Sequence, residues 1–233
     1  MGSTQSLDMA FAMLERWRHN LPTVLSLSRE GLSQDPACCL LHMKHNQLLI
    51  LATRSWLLNA VKERLETTGD AQSPPSLLKV CMAAARHNIR LGRHLLLITE
   101  PRKLLHIGLQ PLLDAALCVV LQELVYGNNL SSDEAATGNR MIDFVVDVFD
   151  QEARLGNHYG RDGARALRQL RVLVMHMSPS YSSSDILRAI DTPDLFGMGG
   201  GSAPGQPLPE AGQGSFLYND LMTAIEDDWQ IGH

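Results

Sequence analysis

The sequence predicts an all-α protein: a multi-helix, bundle-like domain, then a disordered Gly- and Pro-rich C-terminal linker and a short acidic-hydrophobic tail helix. Three observations carry this. Apolar residues recur at three- and four-residue spacing in one segment after another. None of these segments alternates apolar with polar residues as a half-buried strand does. Clusters of Gly, Pro and Ser punctuate the chain between them.

Taken in order, Leu7, Ala10, Phe11, Leu14, Trp17 and Leu21 form one face of an amphipathic helix ending at Pro22, with Trp17 as its anchor. Residues Thr23 to Gln34 read as an irregular connector. Asp35 followed by Pro36 is an N-cap with proline at the first helical position, and opens a helix to about Glu66. Its run Leu48 to Ala52 predicts enclosure on nearly all sides and makes it the central helix. His42, His45, Asn46 and Gln47 just before that run require hydrogen-bond partners, and are expected to hold another segment in place. Thr67 to Ser76 is a surface loop.

The next helix spans about Ser76 to Thr99, with Ala83 to Ala85 allowing another helix close, and Glu100-Pro101 stops it. A nearly all-apolar helix is expected from Pro111 to Tyr126, closed by Gly127-Asn128-Asn129. Ser131 with Glu134 fits a capping box that opens a helix carrying Met141, Phe144, Val145, Val148 and Phe149 to Gly156. A short turn, Asn157 to Gly160, leads to a last helix from about Arg161 to Met177.

Domain boundaries follow from composition. Residues 1–190 are expected to form the helical domain, 191–214 a flexible linker and 215–233 a separate acidic-hydrophobic segment. The stretch Gly197 to Gly214 is too rich in Gly and Pro to bury the apolar surface that ordering requires. Charge divides at the same place: residues 1–178 hold 19 basic and 17 acidic side chains, net +2, and residues 179–233 hold 1 and 8, net −7.

The pattern LHMKHNQLLILATRSWLL resembles the signature helix of the middle homology region, the regulatory domain of fungal binuclear zinc-cluster transcription factors. Leu41, His42, His45, Gln47, the Leu48 to Leu51 run and Arg54 carry the match, and Ser55 stands where that family has proline. The upstream LERWRHNLP is similar to the family's tryptophan-containing helix, and the order of later helices agrees as far as Met177. The resemblance implies an effector domain of a regulator of RNA polymerase II transcription, acting in the nucleus through transcription machinery or co-regulators, with a small-molecule effector as a further partner. The family's zinc cluster needs six closely spaced cysteines in a basic context, and this sequence carries four dispersed ones. Zinc is therefore expected only in a missing N-terminal cluster, and no cofactor in this chain.

Cys38, Cys39, Cys81 and Cys118 lie in apolar helical patterns without C-x-x-C spacing, which predicts reduced, buried thiols. Cys38, Cys39, His42 and His45 invite a metal site, but adjacent helical cysteines point about 100° apart and converge poorly with both histidines. Without a G-x-S-x-G motif or a strand to carry one, catalysis has no foothold, and no catalytic residue is assigned. Asp143, Asp147, Asp150 and Glu152 read as a solvated face. Arg161, Arg165, Arg168 and Arg171 read as a solvated stripe facing Asp162 and the acidic tail, so direct nucleic-acid binding is not expected. No apolar run suggests a membrane span.

The tail FLYNDLMTAIEDDWQI interleaves acids with bulky apolar residues, and Phe216, Leu217, Leu221, Ile225 and Trp229 share one broad helical face. These five are the expected partner-binding residues of an activation segment; the competing reading is a C-terminal helix docked on the domain. For the whole chain, the alternative to a transcriptional regulator is a non-enzymatic helical scaffold or adaptor unrelated to DNA.

Overall fold

The computed structural model describes residues 2–28, 30–66, 76–99, 101–126 and 130–177. Among them the chain forms six α-helices and no strand: α1 Gly2–His19, α2 Pro36–Glu66, α3 Ser76–Ile98, α4 Pro101–Tyr126, α5 Ser132–Arg154 and α6 His158–Met177. A short 3-10 turn, Thr23–Leu25, interrupts the connector between α1 and α2. The Thr67–Ser76 loop, the Gly127–Asn129 cap, the linker and the tail with Phe216, Leu217, Leu221, Ile225 and Trp229 lie wholly or almost wholly outside the described residues.

Helices α2, α3 and α4 pack on one another, α5 and α6 pair as a hairpin against α4, and α1 lies on α2. The centre is therefore α4. Every residue from Gly108 to Leu124 except Gln110 is buried, because neighbours on all sides, α2, α3, α5 and α6, leave no face for solvent. This corrects the expectation for α2. Only Ile50 of its apolar run is fully enclosed, Leu49 and Leu51 are half-buried and Leu48 is 51% exposed. Five consecutive apolar residues need neighbours around the whole circumference, and only α4 has them.

Against the expectation that no apolar run suggests a membrane span, the stretch Ile107–Tyr126 of α4 is long and apolar enough to cross a membrane, with mean hydropathy 1.4. Its apolar surface is spent inside the bundle: 83% of the window is buried, as expected of a core helix.

Two helix starts differ from expectation. Helix α4 begins at Pro101, so Pro111 lies inside it. Proline suits the first turn, where its missing N–H is no loss, and Pro101 fits that rule; Pro111, ten residues further on, costs one backbone bond. Helix α6 begins at His158, because the Asn157 side chain accepts from the N–H groups of Tyr159 (3.0 Å) and Gly160 (3.4 Å), turning the expected loop into a capped first turn. The capping box at Ser131 is as read, with reciprocal bonds between Ser131 and Glu134.

Close approach is built with glycine. A Cβ on Gly163 of α6 would fall 2.3 Å from the Phe149 ring of α5, and one on Gly92 of α3 would fall 2.6 Å from Leu112 of α4. At Gly156 the backbone is left-handed, φ 87°, which reverses the chain between α5 and α6.

Candidate functional site

The polar residues at the start of α2 do not face water. Cys38, Cys39 and His42, with three residues of α3, seize the connector between α1 and α2 by its backbone. The Leu25 carbonyl accepts from Cys38 Sγ (3.2 Å) and His42 Nε2 (2.9 Å). Ser33 O accepts from Cys39 Sγ (3.3 Å) and His94 Nε2 (2.8 Å). Gly31 O accepts from His87 Nε2 (3.1 Å), and Glu30 O from Arg90 (3.0 Å). Six donors from two helices thus satisfy four carbonyls of a segment that has little regular structure to satisfy them itself.

Carbonyls only accept, so each of these imidazoles carries its proton on Nε2. His87 Nδ1 is left as an acceptor, and Asn46 Nδ2 lies 3.2 Å from it. Asn46, His87 and Gly31 form one relay from α2 through α3 to the connector. Burial pushes the His87 pKa down, against its bond to Gly31, with Arg90 and His42 adding a smaller push in the same direction. Trp17 of α1 closes the clamp, stacked on His45 at 5.0 Å and 14° and edge-on to His42 at 6.3 Å. His45 is likewise held below its ordinary value by burial. Its buried Nε2 lacks a partner in hydrogen-bond geometry, although the Leu14 backbone is near enough to favour the charged form.

A second chain of bonds crosses the core. Lys44 donates to Gln47 (3.0 Å), Gln47 to Asp114 (2.6 Å), Tyr159 to Gln110 (2.5 Å) and Gln110 to Asp114 (3.2 Å). The donors run inward from both ends, so Asp114 accepts from α2 and α4 at once. Burial raises the Asp114 pKa, and the bonds from Gln47 and Gln110, with Arg54 and Lys44 at longer range, oppose the rise.

The four residues of the metal reading go three ways: Cys38 and His42 share the Leu25 carbonyl, Cys39 turns to Ser33 and His45 to Trp17. Among the described residues no group of three or more His, Cys, Asp and Glu is placed to hold a metal ion. An apolar cavity lined by Met43, Gly92, Leu96, Gly108, Leu109, Leu112 and Val148 measures about 10 Å³, room for one water-sized body. An effector binding there would have to part α3 from α4.

Helices α5 and α6 correct the charge reading. Arg168 pairs with Asp150, and Arg171 with Asp143 (2.6 Å) and Asn139 (2.9 Å), so the stripe meets the acids of α5. Arg165 reaches Asp162 at 3.2 Å, as expected. Glu152 is buried and bonded to Asn157 at 3.0 Å; it is not part of a solvated face.

Of His42, His45, Asn46 and Gln47, expected from the sequence to hold another segment through hydrogen bonds, His42, Asn46 and Gln47 do so, whereas His45 meets α1 by stacking on Trp17 and its Nε2 has no hydrogen-bond partner. His87, Arg90, His94, Gln110, Asp114 and Tyr159 were missed. Signals existed: His87, Arg90 and His94 share one helical face, and Gln110 and Asp114 are the two polar residues, four apart, in the apolar stretch Leu109 to Leu121. What they grip comes from distant parts of the chain. Neither a protein-family model, nor a curated protein, nor a solved structure matches this chain.

Proposed function

We propose that this chain is the regulatory domain of a fungal transcription regulator, non-catalytic, that controls RNA polymerase II transcription in the nucleus through co-regulators or the transcription machinery. One observation carries the reading: the stretch LHMKHNQLLILATR, which resembles the signature helix of the middle homology region, supplies His42, Asn46 and Gln47, side chains that tie α2 to the connector, to α3 and to α4. A motif of mixed polar and apolar residues is what such a junction needs. In this reading the acidic-hydrophobic tail recruits partners, with Phe216, Leu217, Leu221, Ile225 and Trp229 as anchors and its acids keeping the segment soluble.

The test is to fuse residues 197–233 to an unrelated DNA-binding domain and measure a reporter gene. Activation is expected, abolished by Trp229→Ala with Phe216→Ala and weakened in part by Asp227→Asn, because aromatic anchors carry most of the binding energy and charges chiefly the association rate. A silent fusion, with deletion of residues 215–233 lowering the melting temperature of the whole protein, makes the tail a docked structural helix.

A helical scaffold unrelated to DNA is the second reading, favoured by Met9 and Met13 of α1, which are 61% and 57% exposed one turn apart and offer an apolar surface to a partner. A cysteine-rich basic segment encoded upstream of Met1 would exclude it.

A further inference from the structure

Cys81 of α3 and Cys118 of α4 face each other across the core with their sulfurs 3.8 Å apart, both free and both fully buried. Neither belongs to the clamp around the connector. They lie in a seam where small side chains, Ala84, Ala85 and Ala115, are buried and Gly92 lets the two helices approach closely. A disulfide holds its sulfurs about 2.05 Å apart, so the pair must close by roughly 1.8 Å, a movement on the scale of side-chain rotation rather than of helix rearrangement. Cys38 and Cys39, by contrast, are each turned to a different backbone carbonyl.

We propose that Cys81 and Cys118 are a modification site, which a two-electron oxidant of the peroxide class converts to a disulfide that staples α3 to α4. Cys81 is the attacking sulfur. Its thiol is hydrogen-bonded by Cys118 and by Thr53, which lowers its pKa against the effect of burial, while the shared bond and burial push Cys118 up. The Cys81 thiolate attacks one peroxide oxygen, the O–O bond breaks, and the leaving hydroxide takes a proton to become water, leaving Cys81 as the sulfenic acid. Cys118 sulfur then attacks Cys81 sulfur, the S–O bond breaks, and the departing hydroxide leaves as water with the Cys118 proton. The balance is two thiols and one peroxide to one disulfide and two waters. Access comes from the helix end: Cys81 lies five residues into α3, beside Val80, which is 36% exposed, and local opening is cheapest at helix ends. The inference stands whether or not the chain regulates transcription.

The reduced full-length protein, treated with one equivalent of hydrogen peroxide below its melting temperature, should lose two of its four alkylatable thiols. Peptide mass spectrometry should then find Cys81 joined to Cys118, with both thiols restored by dithiothreitol. Cys81→Ser should abolish the link and leave Cys118 alkylatable. The oxidised protein should melt at a higher temperature than the reduced one. Sulfinic acid at either position without a link, or oxidation of Cys38 or Cys39 while Cys81 and Cys118 stay reduced, overturns the proposal. So does a link that forms only once the protein has been thermally unfolded.

Discussion

Helix α4 and the first half of α2 are both buried, and for opposite reasons. Helix α4 is enclosed by α2, α3, α5 and α6 and fills its contacts with Leu, Val and Ala, so its burial is a matter of apolar area. The start of α2 buries His42, His45, Asn46 and Gln47, and each is used to grip a neighbour. Position in the bundle is held by packing in one region and by directed bonds in the other. Packing tolerates any apolar residue of suitable volume, whereas the bonds require particular donors at particular places.

The contrast is most sharply tested by truncating one leucine in each helix. Leu117→Ala in α4 is expected to cost about 2–5 kcal/mol, from lost burial and the cavity left behind. Leu48→Ala in α2 should cost under about 0.5 kcal/mol because the side chain is already half in water, and Leu51→Ala should fall between. Chemical denaturation of the three variants checks the order; equal losses would return α2 to the centre of the fold.

Smaller is the effect expected at the polar seam. Gln47→Leu should cost about 1–3 kcal/mol, since Asp114 stays buried with one donor fewer. Adding Asp114→Leu should recover part of that loss, where two independent sites would add.

Acid should act on the two regions with opposite signs. His45 and His87 are held by burial below the ordinary value of about 6.5. The unfolded chain binds protons more readily than the folded one, so their contribution is complete above about pH 6.5 and is lost as pH falls through the lowered folded values. Asp114 is raised by burial. The folded state then binds its proton more readily, so its contribution to stability grows as pH falls through the raised value. Melting temperature should fall less steeply as pH drops below about 6.5 in His87→Gln, and lose its acid-side gain in Asp114→Asn. Identical profiles in the two variants would mean that neither group titrates with folding.

Ser131→Ala provides the smallest change and a yardstick for a solvent-facing bond: about 1 kcal/mol from the lost cap of α5, read by the same melt.

Local rules governed by near neighbours were legible in the chain alone. The capping box at Ser131, the Asp35-Pro36 start of α2 and the stop at Pro101 depend on residues within one turn, and all three stand in the structure. So did the demand of His42, Asn46 and Gln47 for partners, because a polar side chain beside an apolar run needs one wherever the chain goes. Which partners answered was decided by tertiary structure. The Leu25 carbonyl lies 17 residues from His42, His87 lies 41 from Asn46 and Asp114 lies 67 from Gln47, and nothing at helical spacing relates such positions. The choice of central helix was decided in the same way. Apolar runs mark α2 and α4 alike, but a run records only what a helix can bury, while the number of helices around it sets what is buried: Leu48 was left at the surface and the stretch after Pro111 was closed in on every side.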